Sequence, residues 1–208
     1  TGIDRAPSGE VTGVQTTQGQ IACDKLCVVV AGHSGVLAEM AGFRLPVESV
    51  ALQALVSEPI KPCMDIVVMA NTVHGYMSQS DKGEMVIGGG ADGYNNYTQR
   101  GSFHHVEETV RALIETFPII SRLKMLRWWG GIVDMTGDRS PIISKTPVEN
   151  MFINCGWGTG GFKAIPGSGF AMAELMATGH SPLAEAFSLD RFREGRFIDE
   201  SVAAGVAH

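Results

Sequence analysis

Cys155-Gly-Trp-Gly-Thr-Gly-Gly-Phe-Lys-Ala-Ile-Pro-Gly-Ser-Gly169 holds six of the 26 glycines in the chain and one cation, Lys163. The apolar run Met151-Phe-Ile-Asn-Cys155 leads into it, and a helical pattern is expected to begin near Ser168. The order is strand, glycine loop, helix. Glycine suits places where the chain takes positive φ or where a ligand approaches the backbone, and a helix start offers unpaired N–H groups and positive dipole. Such a loop suits an anion or an electron-rich ring edge. Gly156-Trp-Gly-Thr-Gly-Gly161 also fits the dinucleotide fingerprint G-x-G-x-x-G, a reading that needs an immediate helix, a following strand and an acidic residue roughly 20 positions on. It is rejected, because Pro166 is expected to interrupt the helix and no clear strand follows. A glycine turn that only lets a helix pack closely is the other reading. Lys163 favours a ligand, since a cation in an otherwise uncharged loop has no packing role there.

Outside this stretch, the totals set limits. With 208 residues, 44% hydrophobic and 18% charged, the chain has material for one substantial core or two small ones. No apolar run reaches the roughly 18 to 20 residues that span a bilayer, and the N-terminus lacks a signal-peptide layout. A cytoplasmic protein without a membrane partner is expected. A net charge of -6 with dispersed Lys and Arg argues against nucleic acid. Cys23, Cys27, Cys63 and Cys155 form no CxxC pair and have no His at ligand spacing, so no metal is expected and reduced thiols are the simplest account. Thr1-Gly-Ile-Asp-Arg5 reads as the end of a strand entering a turn, and the chain is expected to be a fragment lacking an N-terminal part.

In chain order, Glu10 to Thr17 and Gln20 to Cys23 form a hairpin about Gln18-Gly19. Leu26-Cys-Val-Val-Val-Ala31 suits a strand buried on both faces of a parallel sheet. Gly32-His-Ser-Gly35 follows, with Ser34 placed to cap a helix over Val36 to Ala41; His33 reads as a turn residue. After Pro46 the pattern alternates, predicting strands at Val50 to Ser57, Met64 to Ala70 and Glu84 to Ile87, with Val73 to Ser78 as a further candidate. Asp81-Lys-Gly83 is a hairpin turn, and Gly88-Gly-Gly90 is expected to end its strand. Tyr76 has two readings: a phenol presented to a pocket, or a ring half-buried on the sheet.

Val106, Val110, Leu113, Ile114 and Phe117 recur at helical spacing, begun at Ser102 or His104 and stopped by Pro118. His104-His105 reads as solvated helix-start surface. Leu126 to Val133 is a strand with Trp128 and Trp129 on opposite faces, and Asp134-Met-Thr-Gly-Asp138 turns it towards Pro141-Ile-Ile143. Phe170, Met172, Ala173, Leu175 and Met176 line a helix ending at Gly179. Leu183 to Phe197 suggests a short closing helix.

Leu26 to Gly35, then Trp129-Gly-Gly-Ile-Val-Asp-Met-Thr-Gly-Asp138 with Pro141, then Gly156-Trp-Gly-Thr-Gly-Gly-Phe-Lys163, in that order and spacing, carry a resemblance. Together they look like the C-terminal half of flavin-dependent amine oxidases of the D-amino-acid oxidase superfamily, in the branch formed by β subunits of heterotetrameric sarcosine oxidases. The resemblance implies an α/β chain, α+β within this piece. Residues 1–45 would be part of a Rossmann-like FAD-binding domain, 46–127 an antiparallel-sheet substrate domain with a helix, and 128–208 the return to the FAD-binding domain.

It further implies non-covalent FAD. Ala31 and Gly32 would lie beside its ADP portion, and Gly158, Thr159, Gly160, Gly161, Phe162 and Lys163 beside the flavin. Lys163 would bind the substrate carboxylate and stabilise charge on the reducing flavin, and Tyr76 would line the amine pocket. Partners implied are α, γ and δ subunits and tetrahydrofolate, with FMN at a subunit interface whose linking histidine is not in this chain, and NAD and zinc only in partner subunits. The implied reaction oxidises sarcosine to glycine and a one-carbon unit, formaldehyde or methylenetetrahydrofolate, with peroxide formed. Val133 stands where glycine and D-amino-acid oxidases carry an arginine, which favours a sarcosine-type anchor at Lys163. The alternatives are a related subunit acting on proline or an opine, and a non-catalytic structural fragment.

Overall fold

The computed structural model describes residues 1–70 and 75–198. The chain forms two compact units, one from Thr1–Glu48 together with the described residues from Asp134 onward, the other from Ser49–Val133.

The first unit opens with an antiparallel meander, β1 (Gly2–Arg5), β2 (Val11–Thr16) and β3 (Gly19–Ala22). Thr16 pairs with Gly19, so the hairpin turn is Thr17-Gln18, and Gly19 takes the positive φ of 126° that closes it. β4 (Leu26–Val28) is shorter than its apolar run suggests. It lies at the end of the sheet order β10-β11-β4, and Val29 and Val30 are exposed, not buried on both faces. A 3₁₀ turn over Ala31–His33 leads into α1 (Ser34–Met40). The expected cap shifts by one position: His33 is the N-cap, and Ser34 is already the first helical residue and wholly buried.

The second unit is a five-stranded sheet carrying one helix. Its strands are β5 (Val47–Pro59), β6 (Val68–Ala70), β7 (Gly75–Gln79), β8 (Glu84–Ala91) and, after α2 (Phe103–Thr116), β9 (Met125–Thr136). The order is β6-β7-β8-β5-β9. Only the last three residues of the predicted Met64 to Ala70 strand are extended in the sheet. Val73 and His74 of the further candidate lie outside the described residues. Gly88-Gly-Gly90 does not end β8 but runs inside it. The helix spacing holds: Leu113 from α2 joins Leu55, Met77, Met85 and Ile87 in the core. Gly75 lets the helix approach, since a Cβ there would fall 2.9 Å from Leu113 Cδ2.

β9 continues through Asp134 to Thr136, so the turn begins only at Gly137. β10 (Ile142–Lys145) and β11 (Met151–Cys155) are antiparallel, and β11 runs parallel to β4 with Ile153 opposite Val28. All five residues of β11 are buried. Side chains alternate between faces of a strand: Met151, Ile153 and Cys155 pack with Val11, Val28 and Ile142, while Phe152 packs with Ala171, Met172 and Leu175 from α3 (Gly161–Thr178). Each large apolar side chain buried this way contributes about 1.5 to 3 kcal/mol.

α3 begins seven residues before the expected start and carries Pro166 within it. Pro166 is the sixth helical residue, so the helix runs through it without the N–H that would bond the carbonyl of Phe162. One ground for rejecting the dinucleotide fingerprint therefore falls, although no strand follows α3 among the described residues. Gly179, at φ 82°, ends the helix as expected. Phe170, predicted on its inner face, is 63% exposed. The closing segment is a 3₁₀ turn at Glu185–Phe187 and α4 (Asp190–Glu194). It is fastened by Arg191, buried against the equally buried Asp138: Nε donates to Oδ2 at 2.7 Å and Nη2 to Oδ1 at 3.0 Å.

Candidate functional site

β4 and β11 are parallel neighbours, so the turn at Ala31-Gly32 and the glycine loop after Cys155 leave the sheet at the same end. Ligands of open α/β sheets sit at the carboxyl ends of the strands. Ala31 there takes φ 46°, an uncommon conformation for a residue with a Cβ. Gly32 is buried, and Ala31 is exposed.

The glycine loop is pressed down on one side and open on the other. Gly156, at φ 76°, leaves no room for a Cβ, which would meet Thr136 Cγ2 at 2.6 Å; one on Gly158, at φ 51°, would meet Met135 Sδ at 2.9 Å. A 3₁₀ turn over Gly158–Gly160 runs directly into α3. On the open side a Cβ on Gly160 would meet only Lys163 Cε, at 4.0 Å. Thr159 and Lys163 are exposed, and Phe162 is 89% exposed. Among the described residues, the Lys163 ammonium has no carboxylate within ion-pair distance. Thr159, Gly160, Gly161, Phe162 and Lys163 thus bring together accessible backbone, a helix N-terminus and a cation, whereas Gly158 is packed against Met135. This combination fits a planar group with a partly negative edge, or a carboxylate.

Beneath this surface lies a residue that the sequence reading treated only as part of a turn. Asp134, 3% exposed at the end of β9, accepts the N–H of Gly156 through Oδ2. Burial raises its carboxyl above the ordinary aspartate value, opposed by the N–H groups of Gly156, Trp157 and Gly158. Its charge reaches Cys155: burial first, then Asp134, push the Cys155 thiol up to about 12. The sequence signal was slight, one acid inside the apolar run Ile132-Val-Asp-Met135. Trp157 is held separately, its indole N–H donating to Asn154 Oδ1 at 2.6 Å.

Tyr76 lies in the second unit, on β7, directly opposite Gly88 of β8. It is half-buried, and burial raises its phenol above the usual tyrosine range. His105 is not solvated helix surface: its Nε2 lies 3.2 Å from Oδ1 of buried Asp92 and its Nδ1 3.3 Å from Glu108. His104 is exposed and pairs with Glu108. Among the described residues no group of three His, Cys, Asp or Glu side chains is arranged to hold a metal, and no helix is long and apolar enough to cross a membrane.

Parallel strands followed by a glycine turn and a helix N-terminus, joined in sequence to an antiparallel sheet unit, define an α/β protein of the nucleotide-cofactor class. The chain belongs to the DAO family of FAD dependent oxidoreductases, whose model matches residues 1–175. It is 78% identical over 208 residues to the sarcosine oxidase subunit beta of Rhodobacter capsulatus, covering 100% of this chain and 50% of that protein. It is 56% identical to the subunit beta of an Arthrobacter species, covering 96% and 49%. The chain thus spans about half the length of the curated relatives it matches. Among solved structures, the L-proline dehydrogenase of P. horikoshii superposes with a TM-score of 0.81 at 25% identity, covering 94% of this chain and 54% of that one. The glycine oxidase of Geobacillus kaustophilus shares the fold at a TM-score of 0.78 and 22% identity, covering 91% and 51%.

Proposed function

We propose that this chain is the C-terminal half of a β subunit that oxidises sarcosine to glycine and a one-carbon unit. The observation that carries the reading is Lys163, an unpaired cation on the exposed first turn of α3 beside the bare backbone of Gly160. The 78% identity to a sarcosine oxidase subunit beta supports the choice of substrate.

In this reading residues 1–45 and 128–208 belong to the FAD-binding domain and 46–127 to the substrate domain. Thr159 to Lys163 face the flavin, and Ala31 and Gly32 lie beside the ADP portion. FAD, when bound, supplies the two-electron oxidation of the substrate's N-methyl carbon. The ammonium of Lys163 holds the sarcosine carboxylate, which orients the N-methyl group, and adds a fixed positive charge where negative charge builds up during oxidation. Helix α3 directs the positive end of its dipole to the same place. Tyr76, its ring set against β8, walls the amine pocket. The whole protein assembles with α, γ and δ subunits in the cytoplasm, holds FMN at a subunit interface through a histidine outside this chain, and releases the one-carbon unit as formaldehyde or, with tetrahydrofolate present, as methylenetetrahydrofolate.

The test is anaerobic titration of the full-length, partner-assembled protein with sarcosine, following flavin absorbance. Bleaching in the natural protein and its loss in Lys163→Ala are expected. Unchanged reduction with unchanged substrate affinity in Lys163→Ala would overturn the lysine assignment. Bleaching by L-proline but not sarcosine would move the substrate to another secondary amine.

A further inference from the structure

The buried carboxylate under the glycine loop has no part in the reaction as drawn above, yet it touches the backbone that makes the site. Asp134 is 3% exposed and accepts the N–H of Gly156. The backbone donor at the head of the loop is thereby turned inward. The glycines agree with this direction: positive φ at Gly156 and Gly158 folds the backbone onto Thr136 and Met135, the residues flanking the same stretch of β9. Gly158 itself is thus spent on the protein side of the loop. Thr159 is the first exposed residue of the loop.

We infer that Asp134 is a positioning residue of the flavin site: its buried carboxyl holds the N–H of Gly156 at the head of the loop, and with Gly156 and Gly158 packed onto Thr136 and Met135 it fixes the backbone that carries Thr159 to Lys163 to the flavin. This inference rests on the flavin reading above. A carboxylate holding a backbone N–H fixes loop geometry more firmly than a neutral acceptor, because charge-assisted hydrogen bonds are roughly twice as strong. Its charge also opposes the addition of electrons to a group bound on the far side of the loop. Lys163 and the α3 dipole act in the other direction, so the reducing power of the site is set by their balance against Asp134.

The experiment uses the full-length assembled enzyme, first confirmed to carry FAD; absence of flavin there would remove the underlying reading and not this step alone. Asp134→Asn keeps the size and one acceptor oxygen but loses the charge. Expected are an FAD affinity weakened by about tenfold or more, the scale of one lost hydrogen bond to a charged group, and a midpoint potential, at saturating FAD, shifted to a more positive value. Asp134→Ala should lose FAD further, and if it fails to fold the Asn variant still decides. A lowered melting temperature with natural FAD affinity and natural potential would overturn the inference. So would loss of FAD with an unchanged potential, which would mark only a general loosening of the loop.

Discussion

The ring of Tyr76 occupies the space that a side chain on Gly88 would need: a Cβ built there falls 2.3 Å from Tyr76 Cζ and 2.4 Å from its hydroxyl oxygen. The two residues are direct cross-strand partners, so the missing side chain on β8 is what lets the ring settle against the sheet. Aromatic cover over a strand glycine is a known device for stabilising a sheet. Gly88→Ala is expected to cost about 1 to 3 kcal/mol by overpacking and to displace the ring. In the full-length enzyme it should raise KM for the amine more than it lowers kcat. Denaturant unfolding and steady-state kinetics check the two parts, and an unchanged KM would overturn the proposal that Tyr76 lines the amine pocket.

Arg191 and Asp138 are both essentially excluded from solvent, and the guanidinium also donates to the carbonyls of Ser140 and Phe187. Removing one partner leaves a buried charge without compensation. Arg191→Met is expected to destabilise the protein by about 3 to 5 kcal/mol, read as a lowered denaturant midpoint. Arg191→Met combined with Asp138→Leu should recover most of that loss, since the pair's own net contribution is small.

The two aspartates of this turn should respond to pH with opposite sign. Burial pushes the Asp138 carboxyl up, but the Arg191 guanidinium and the N–H groups of Ile198 and Ser140 outweigh it and hold the group below its ordinary value. Its stabilisation is present above the unfolded value of about 3.9 and is lost as pH falls through the folded one. Asp134 is raised, so folding favours its proton, and its contribution weakens as pH rises from the unfolded value through the folded one. Unfolding free energies measured from pH 3 to 7 should therefore rise less with pH in Asp138→Asn than in the natural protein, and more in Asp134→Asn.

The cysteines offer a check on burial. Cys63 is exposed and Cys155 is wholly buried with its thiol pushed up to about 12. Since the thiolate is the reactive form, brief iodoacetamide treatment at pH 8 should label Cys63 and spare Cys155 until the protein is unfolded. Mass spectrometry of the peptides reads the order directly.

Elements with strong local signals were legible in the sequence. The β2–β3 hairpin, α2, β11 and the end of α3 at Gly179 follow from turn residues, 3.6-residue spacing, a largely apolar run and a left-handed glycine, all carried within a few neighbouring residues. The start of α3 was not legible, because Pro166 reads locally as a stop, whereas the helix runs through it with one backbone hydrogen bond missing. The length of β8 was hidden for a related reason: Gly88-Gly-Gly90 reads as a break until Tyr76 is seen to cover it.

The sequence by itself determined the class of the chain and singled out the loop from Gly158 to Lys163, with its one cation, as the candidate site, because residue type and spacing carry that signal. Only the tertiary structure decided what lies beneath the loop. Asp134 and Gly156 are far apart in sequence and meet because β9 ends under the turn that follows β11, and a carboxylate's partners depend on distance through space, not along the chain. The same holds for Arg191 with Asp138 and for Tyr76 with Gly88.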